Sequence, residues 1–219
     1  MPAADGYHPA FEEYCIAIWE LDESGVEVIQ ARIAERLQIS RPAVSEMVRR
    51  MEAEGLVILG DVISLTEQGL VLARRVVRRH RLAERFLTDI LGLSWADAHH
   101  EAGKWEHVLS DQVEEAMNRV LDHPTTCPHG NPIPGSDYVE PELVALSSRQ
   151  IGDSFTIHRI PEELEFTPGL LEFLESAALL PGATGVVTAM SPDGTMTIQV
   201  DDRHIGIGSH ASGRIMVAS

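Results

Sequence analysis

Residues 31–57 read ARIAERLQISRPAVSEMVRRMEAEGLV, and the break in the middle of this stretch decides the fold. Ile33, Ala34 and Leu37 share one face of a helix. The pattern stops at Gln38-Ile39 and restarts at Ser40, a good N-cap, with Pro42 in the first turn, where a missing N–H costs nothing. The second helix turns Val44, Met47, Val48 and Met51 inward and ends at Gly55, which can take a left-handed cap. The reading is helix, short turn, helix. Next, LVILGDVISL (56–65) is two β-rich runs about Gly60-Asp61, which predicts a tight hairpin. Upstream, EEYCIAIWELDESG (12–25) sets Tyr14, Ile18 and Leu21 at helical spacing beside Cys15 and Trp19, and stops at Gly25.

Three helices and a hairpin wing form the layout of a winged-helix DNA-binding domain. Its last helix would enter the major groove with Ser40, Arg41, Pro42, Ala43, Ser45 and Glu46 nearest the base edges. Arg49 and Arg50, a turn later, suit phosphates, and Arg32 is counted with the same interface. Other three-helix domains meet the same periodicity, so the wing and the charge have to favour DNA. The net charge of -17 argues against it until the distribution is read. Eleven of the 17 Lys and Arg residues fall between Arg32 and Arg85, against seven acids there, so a basic island sits in an acidic chain.

A chain of 219 residues suits two or three small domains. With 44% apolar and 23% charged residues it is folded by composition, and no run is long and apolar enough for a membrane span. Met1 to Phe11 lack the basic and apolar regions of a secretory signal. Two distant cysteines, Cys15 and Cys127, fit a reducing cytoplasm.

TEQGLVLARRVVRRHRLAERFLTDILGL (66–93) predicts one long helix, capped by Thr66 and ended by Gly92, with His80 and Glu84 stacked on one face. HHEAGKWEHVLSD (99–111) crowds three histidines and two glutamates onto a helix opened by Ser94; His99, Gly103 and Glu106 fall on one stripe, with His107 alongside. A further helix, DQVEEAMNRVLD (111–122), offers Val113, Met117, Val120 and Leu121 for bundling or dimerisation. A single His–Glu pair at i, i+4 is usually just solvated. His80, Glu84, His99, Glu106 and His107 together are a ligand set for Mn²⁺, Fe²⁺ or Co²⁺, with Zn²⁺ also able to bind. A zinc hydrolase fails on spacing: His100-Glu101 opens like HExxH, but Lys104 stands where the second histidine belongs. No nucleophile and base stand at a recognisable spacing, so no enzyme is expected.

The stretches 31–57, RRHRLAERFLTDILGL (78–93), EAGKWEHVLSD (101–111) and HGNPIPG (129–135) closely resemble the DtxR family of metal-dependent transcriptional repressors, which includes the iron regulators DtxR and IdeR and the manganese regulators called MntR. The resemblance covers residues 11–135 and, more loosely, the remainder. It implies a winged-helix DNA-binding domain (1–73), a helical metal-binding and dimerisation domain (74–145), and an SH3-like, FeoA-like barrel (146–219), in a mainly α protein with small β parts. It further implies a homodimer on operator DNA and two metal sites. One would use His80, Glu84 and His99 with Glu162 and Glu165. The other would use Glu106 and His107 with Glu13, where iron regulators carry Met and many manganese regulators Asp. A further family ligand, Cys or Glu, falls on Gly103, which has only its backbone carbonyl to give, leaving His100 or a water to fill the gap. With no thioether or thiol in the set, Mn²⁺ is favoured over Fe²⁺. The alternative is a winged-helix regulator whose metal is structural and which answers to another ligand or to a partner at the barrel.

HPTTCPHGNPIPGSDYVEPE (123–142) reads as an ordered loop and linker, with Cys127 and His129 assigned to packing. Beyond it, DSFTIHRI, ATGVVTAM, TMTIQVD and HIGIGS are short strands around one helix, PGLLEFLESAAL, which fits the small barrel.

Overall fold

The computed structural model describes residues 9–165 and 167–218, so most of the stretch read for a secretory signal lies outside the described residues. Helix α1 (Pro9–Glu23) packs against α2 (Gln30–Arg36) and α3 (Arg41–Ala53) around buried Tyr14, Ile18, Ile33, Val44, Val48 and Met51. Ser40 caps α3 by accepting from the Ala43 N–H, and Gly55 ends it with φ +74°. Strands β1 (Val57–Ile58) and β2 (Ser64–Leu65) form the wing.

The wing is wider than its sequence suggests. Val57 pairs with Leu65 and Ile58 with Ser64, so Leu59–Ile63 form the connection in place of a two-residue Gly60-Asp61 turn. Ile63 leaves the ladder because its N–H donates to the Val28 carbonyl at 2.8 Å while its side chain enters the core. That core contact outweighs the local turn preference.

Helix α4 (Glu67–Asp89) is capped by Thr66, whose hydroxyl accepts from the Gly69 N–H at 3.1 Å and donates to the Gly55 carbonyl at 2.6 Å. Its first half closes the N-terminal core through Leu72 and Ala73. Its second half joins α5 (Trp95–Trp105) and α6 (Asp111–Val120) in a separate core of Leu82, Ala83, Leu87, Ala98, Ala102, Met117 and Ile133. On α6, Met117 is buried, whereas Val113 and Val120 remain exposed.

The C-terminal unit is a six-stranded antiparallel sheet of β3 (Val144–Ala145), β4 (Ser154–Arg159), β5 (Thr184–Met190), β6 (Met196–Val200), β7 (Arg203–Ile207) and β8 (Met216–Ala218). The strand order is β3-β8-β4-β5-β6-β7. Strands β3 and β8 escape a sequence reading because they are two and three residues long. Two short helices, α7 (Glu162–Glu165) and α8 (Leu170–Ser176), lie between β4 and β5, and α9 (Ser209–Ser212) precedes β8. Trp95, the first residue of α5, belongs to this third core, and its N–H donates to the Glu175 carboxylate at 3.2 Å. The unit is therefore docked on α5 by packing as well as by the chain connection.

Candidate metal centre

On α4, His80 and Glu84 lie one turn apart and face α5, which presents His99; α7 brings in Glu165 from the third unit. Glu84 Oε1 stands 3.1 Å from His80 Nε2 and 2.9 Å from His99 Nδ1. Glu165 Oε2 is 2.9 Å from His99 Nδ1, and the two imidazole nitrogens are 3.3 Å apart. Neighbouring donors around a cation bound at about 2.1 Å in octahedral geometry are separated by about 3 Å. Four donors converging at that spacing therefore fit a divalent first-row ion, and their imidazole and carboxylate chemistry fits as well.

The reverse side of the same two carboxylates holds two residues assigned to packing by sequence. His129 Nδ1 lies 3.1 Å from Glu165 Oε1, 3.6 Å from Glu84 Oε2 and 3.9 Å from Cys127 Sγ. Glu84, Cys127 and His129 thus form a second group of potential donors, all buried. Glu84 Oε2 and His129 Nε2 are buried without a hydrogen-bond partner, a costly state that a bound cation would relieve for the carboxylate oxygen. Only the Cys-Pro-His spacing could have signalled this, and the loop gives no periodicity from which to judge direction.

A further set joins the N-terminal unit to the helical one. His107 Nδ1 lies 2.7 Å from Glu12 Oε2, and its Nε2 lies 2.9 Å from Glu13 Oε1 and 3.2 Å from Glu106 Oε1. Glu13 is half-exposed, whereas Glu12 is buried and also accepts from Arg75 Nη2 at 3.1 Å. Glu12 was not singled out in the sequence because it adjoins the aligned Glu13, yet both carboxylates reach the same ring. Glu106 Oε2 in turn lies 2.5 Å from His80 Nδ1, so one glutamate touches the histidines of both clusters.

Electrostatics favour positive charge at each cluster. Burial works against charging His99, but its contacts with Glu165 and Glu84 carry the ring up to about 9. His107, held by Glu106, Glu12 and Glu13, is raised to about 11. Burial would push the Glu84 carboxyl up, yet the neighbouring His80 and His129 hold it well below its ordinary range. Protons on these rings occupy the role a cation would take.

Two expected ligands, Glu162 and Gly103, lie beside these donors and not among the converging groups. Glu162 is outside the histidine cluster because it pairs with the buried Arg81, whose Nε donates to its Oε1 at 3.0 Å. Burial would raise the Glu162 carboxyl, but Arg81 draws it down to about 2. Gly103 lines a cavity of about 450 Å³ that also touches Glu13, His80, His99, His100 and Glu106; it adds no side-chain donor, and a Cβ built there would meet nothing within 4 Å. In the N-terminal unit, Arg32, Ser40, Arg41, Pro42, Ala43, Glu46, Arg49 and Arg50 are exposed and Ser45 is half-buried. Arg50 lies over the Phe11 ring at 5.7 Å, which fixes the end of α3 to α1.

Comparison with known proteins agrees with this arrangement. Residues 8–60 match the model of the iron dependent repressor N-terminal DNA binding domain, 66–135 that of the iron dependent repressor metal binding and dimerisation domain, and 144–219 that of the FeoA domain. The iron-dependent repressor IdeR of Mycobacterium tuberculosis is 42% identical over 202 residues, 86% of this chain and 87% of that protein. The diphtheria toxin repressor of Corynebacterium diphtheriae is 52% identical over 128 residues, 58% of this chain and 57% of that protein. A solved manganese-dependent transcriptional repressor in complex with manganese superposes with TM-score 0.86 at 32% identity, covering 95% of this chain and 99% of that one. The chain belongs to the DtxR family of metal-dependent transcriptional repressors. Among the described residues no helix is long and apolar enough to cross a membrane.

Proposed function

We propose that this chain is a manganese-responsive repressor that binds operator DNA in the cytoplasm as a homodimer when divalent metal is bound. The observation that carries this reading is the set Glu13, Glu106 and His107, whose donors come from the first helix of the DNA-binding unit and from the end of α5 in the helical unit. Without a counter-charge, Glu12, Glu13 and Glu106 repel one another across this junction. A bound cation would supply the charge that holds them together. Glu13 and Glu106 offer oxygen and His107 one imidazole nitrogen, a set that favours Mn²⁺ over Fe²⁺, with Co²⁺ or Zn²⁺ as substitutes in vitro. His80, Glu84, His99 and Glu165 would form the other site.

Fixing α1 against α5 fixes α3, whose exposed Ser40, Arg41, Pro42, Ala43, Ser45 and Glu46 would meet base edges while Arg32, Arg49 and Arg50 meet phosphates. The exposed Val113 and Val120 of α6, with Ile90, Leu91 and Val108, are apolar enough to be covered by a second copy. A roughly hundredfold preference of the cation for the DNA-competent arrangement corresponds to about 2.7 kcal/mol, enough to make a minor conformer dominant.

The test selects duplexes from a random pool with the protein in Mn²⁺ and then measures their affinity by anisotropy with Mn²⁺ or with chelator. Chelation is expected to weaken binding at least about tenfold. Equal affinities in the two conditions would refute the reading.

A further inference from the structure

We infer that Arg81 and Glu162 are positioning residues that carry cation occupancy of the histidine cluster to helix α1. The inference rests on the metal reading above and adds a route within the chain.

Arg81 is fully buried and cannot shed its proton, so every donor must be matched. Its Nε and Nη2 donate to the two oxygens of Glu162 at 3.0 and 3.1 Å. Its Nη1 and Nη2 donate to the two oxygens of Glu23, at the end of α1, at 3.2 and 2.6 Å, and Nη1 also donates to the Pro132 carbonyl. One guanidinium therefore joins the last turn of α1, the middle of α4, the 123–142 loop and α7. Glu162 also contacts Glu20 on α1, which is itself paired with Arg36 at the end of α2.

Helix α7 has four residues, and its two ends do different work. Glu165 enters the histidine cluster; Glu162, one turn earlier, holds Arg81. A cation that fixes Glu165 fixes α7, and with it the carboxylate on which Arg81 depends while it grips Glu23. The third unit thereby acts as a strut between the metal cluster and the DNA-binding unit, with no ligand of its own on the DNA side. An ion pair serving stability alone would hold α1 equally with and without cation.

The experiment uses full-length H107A, which removes the ring that faces Glu12 and Glu13 and so breaks the direct link between α1 and metal. Mn²⁺ binding is followed by calorimetry, and backbone amide exchange by mass spectrometry with and without saturating Mn²⁺. In H107A, Mn²⁺ should slow exchange in the last turn of α1 by about tenfold or more. In H107A/E162Q the Mn²⁺ isotherm should persist and α5 should still respond, while slowing in α1 drops below about twofold; E162D should restore part of it. Undiminished slowing of α1 in the E162Q protein would overturn the inference, as would loss of Mn²⁺ binding there, which would make Glu162 a ligand. If H107A itself takes up no Mn²⁺ at the histidine cluster, the isotherm alone shows that the metal reading has failed, and the strut falls with it.

Discussion

His99 titrates from an ordinary value of 6.5 to about 9 in the fold, because burial is outweighed by the carboxylates of Glu165 and Glu84. A raised imidazole stabilises the metal-free protein fully below pH 6.5 and loses that contribution as pH rises through the folded value. Thermal unfolding of metal-free protein should therefore shift to lower temperature between pH 6.5 and 9, and H99A should flatten the trend. Mn²⁺ competes with those same protons, so its affinity should rise over the interval in which metal-free stability falls. A calorimetric affinity independent of pH there would show that the ring is not displaced. Gly103 gives a second prediction at this scale. It is exposed within α5 and its missing Cβ would meet nothing, so G103A should stabilise the protein by about 0.5–1 kcal/mol, with Mn²⁺ stoichiometry unchanged. A scanning calorimetry trace with no upward shift would indicate that the backbone there needs glycine.

The junction of wing and long helix tolerates little change. A Cβ on Gly69 would stand 2.1 Å from the Leu56 carbonyl oxygen, which is main chain and cannot swing aside. G69A should cost about 2 kcal/mol or more, read as a lower denaturant midpoint, because β1 or the start of α4 has to move. A midpoint equal to wild type would mean the two elements are loosely joined. Elements were also where the sequence was most readable. Ser40, Thr66 and Ser94 cap the helices they were expected to open, because caps and apolar periodicity are local. The width of the wing was not legible, since it depends on Ile63 bonding to Val28, thirty-five residues away. Nor was the destination of Glu162. The composition of α7 marks it as an acidic turn, and only the fold sends one carboxylate to histidines and the other to an arginine. Cys127 and His129 were hidden for the same reason, lying in a loop whose direction no pattern encodes.

Across the whole molecule, three cores meet at one buried cluster, and each unit contributes to its surroundings: Glu23 from the first, His80, Glu84 and His99 from the second, Glu165 from the third. Deleting residues 147–219 should therefore weaken Mn²⁺ binding at the histidine cluster by about tenfold or more, and E165A in the full chain should reproduce most of that loss without exposing Trp95. Unaltered stoichiometry and affinity in both proteins would remove the third unit from the metal chemistry.

Trp95 has one more consequence. Its indole stands edge-on to the His129 ring, centroids 4.5 Å apart, and the chain has only two other tryptophans. A charged imidazole so close to an indole drains its excited state, whereas a neutral ring does so far less. The native protein therefore carries an intrinsic optical gauge: emission from Trp95 should brighten as the His129 ring loses its proton, with W95F supplying the blank.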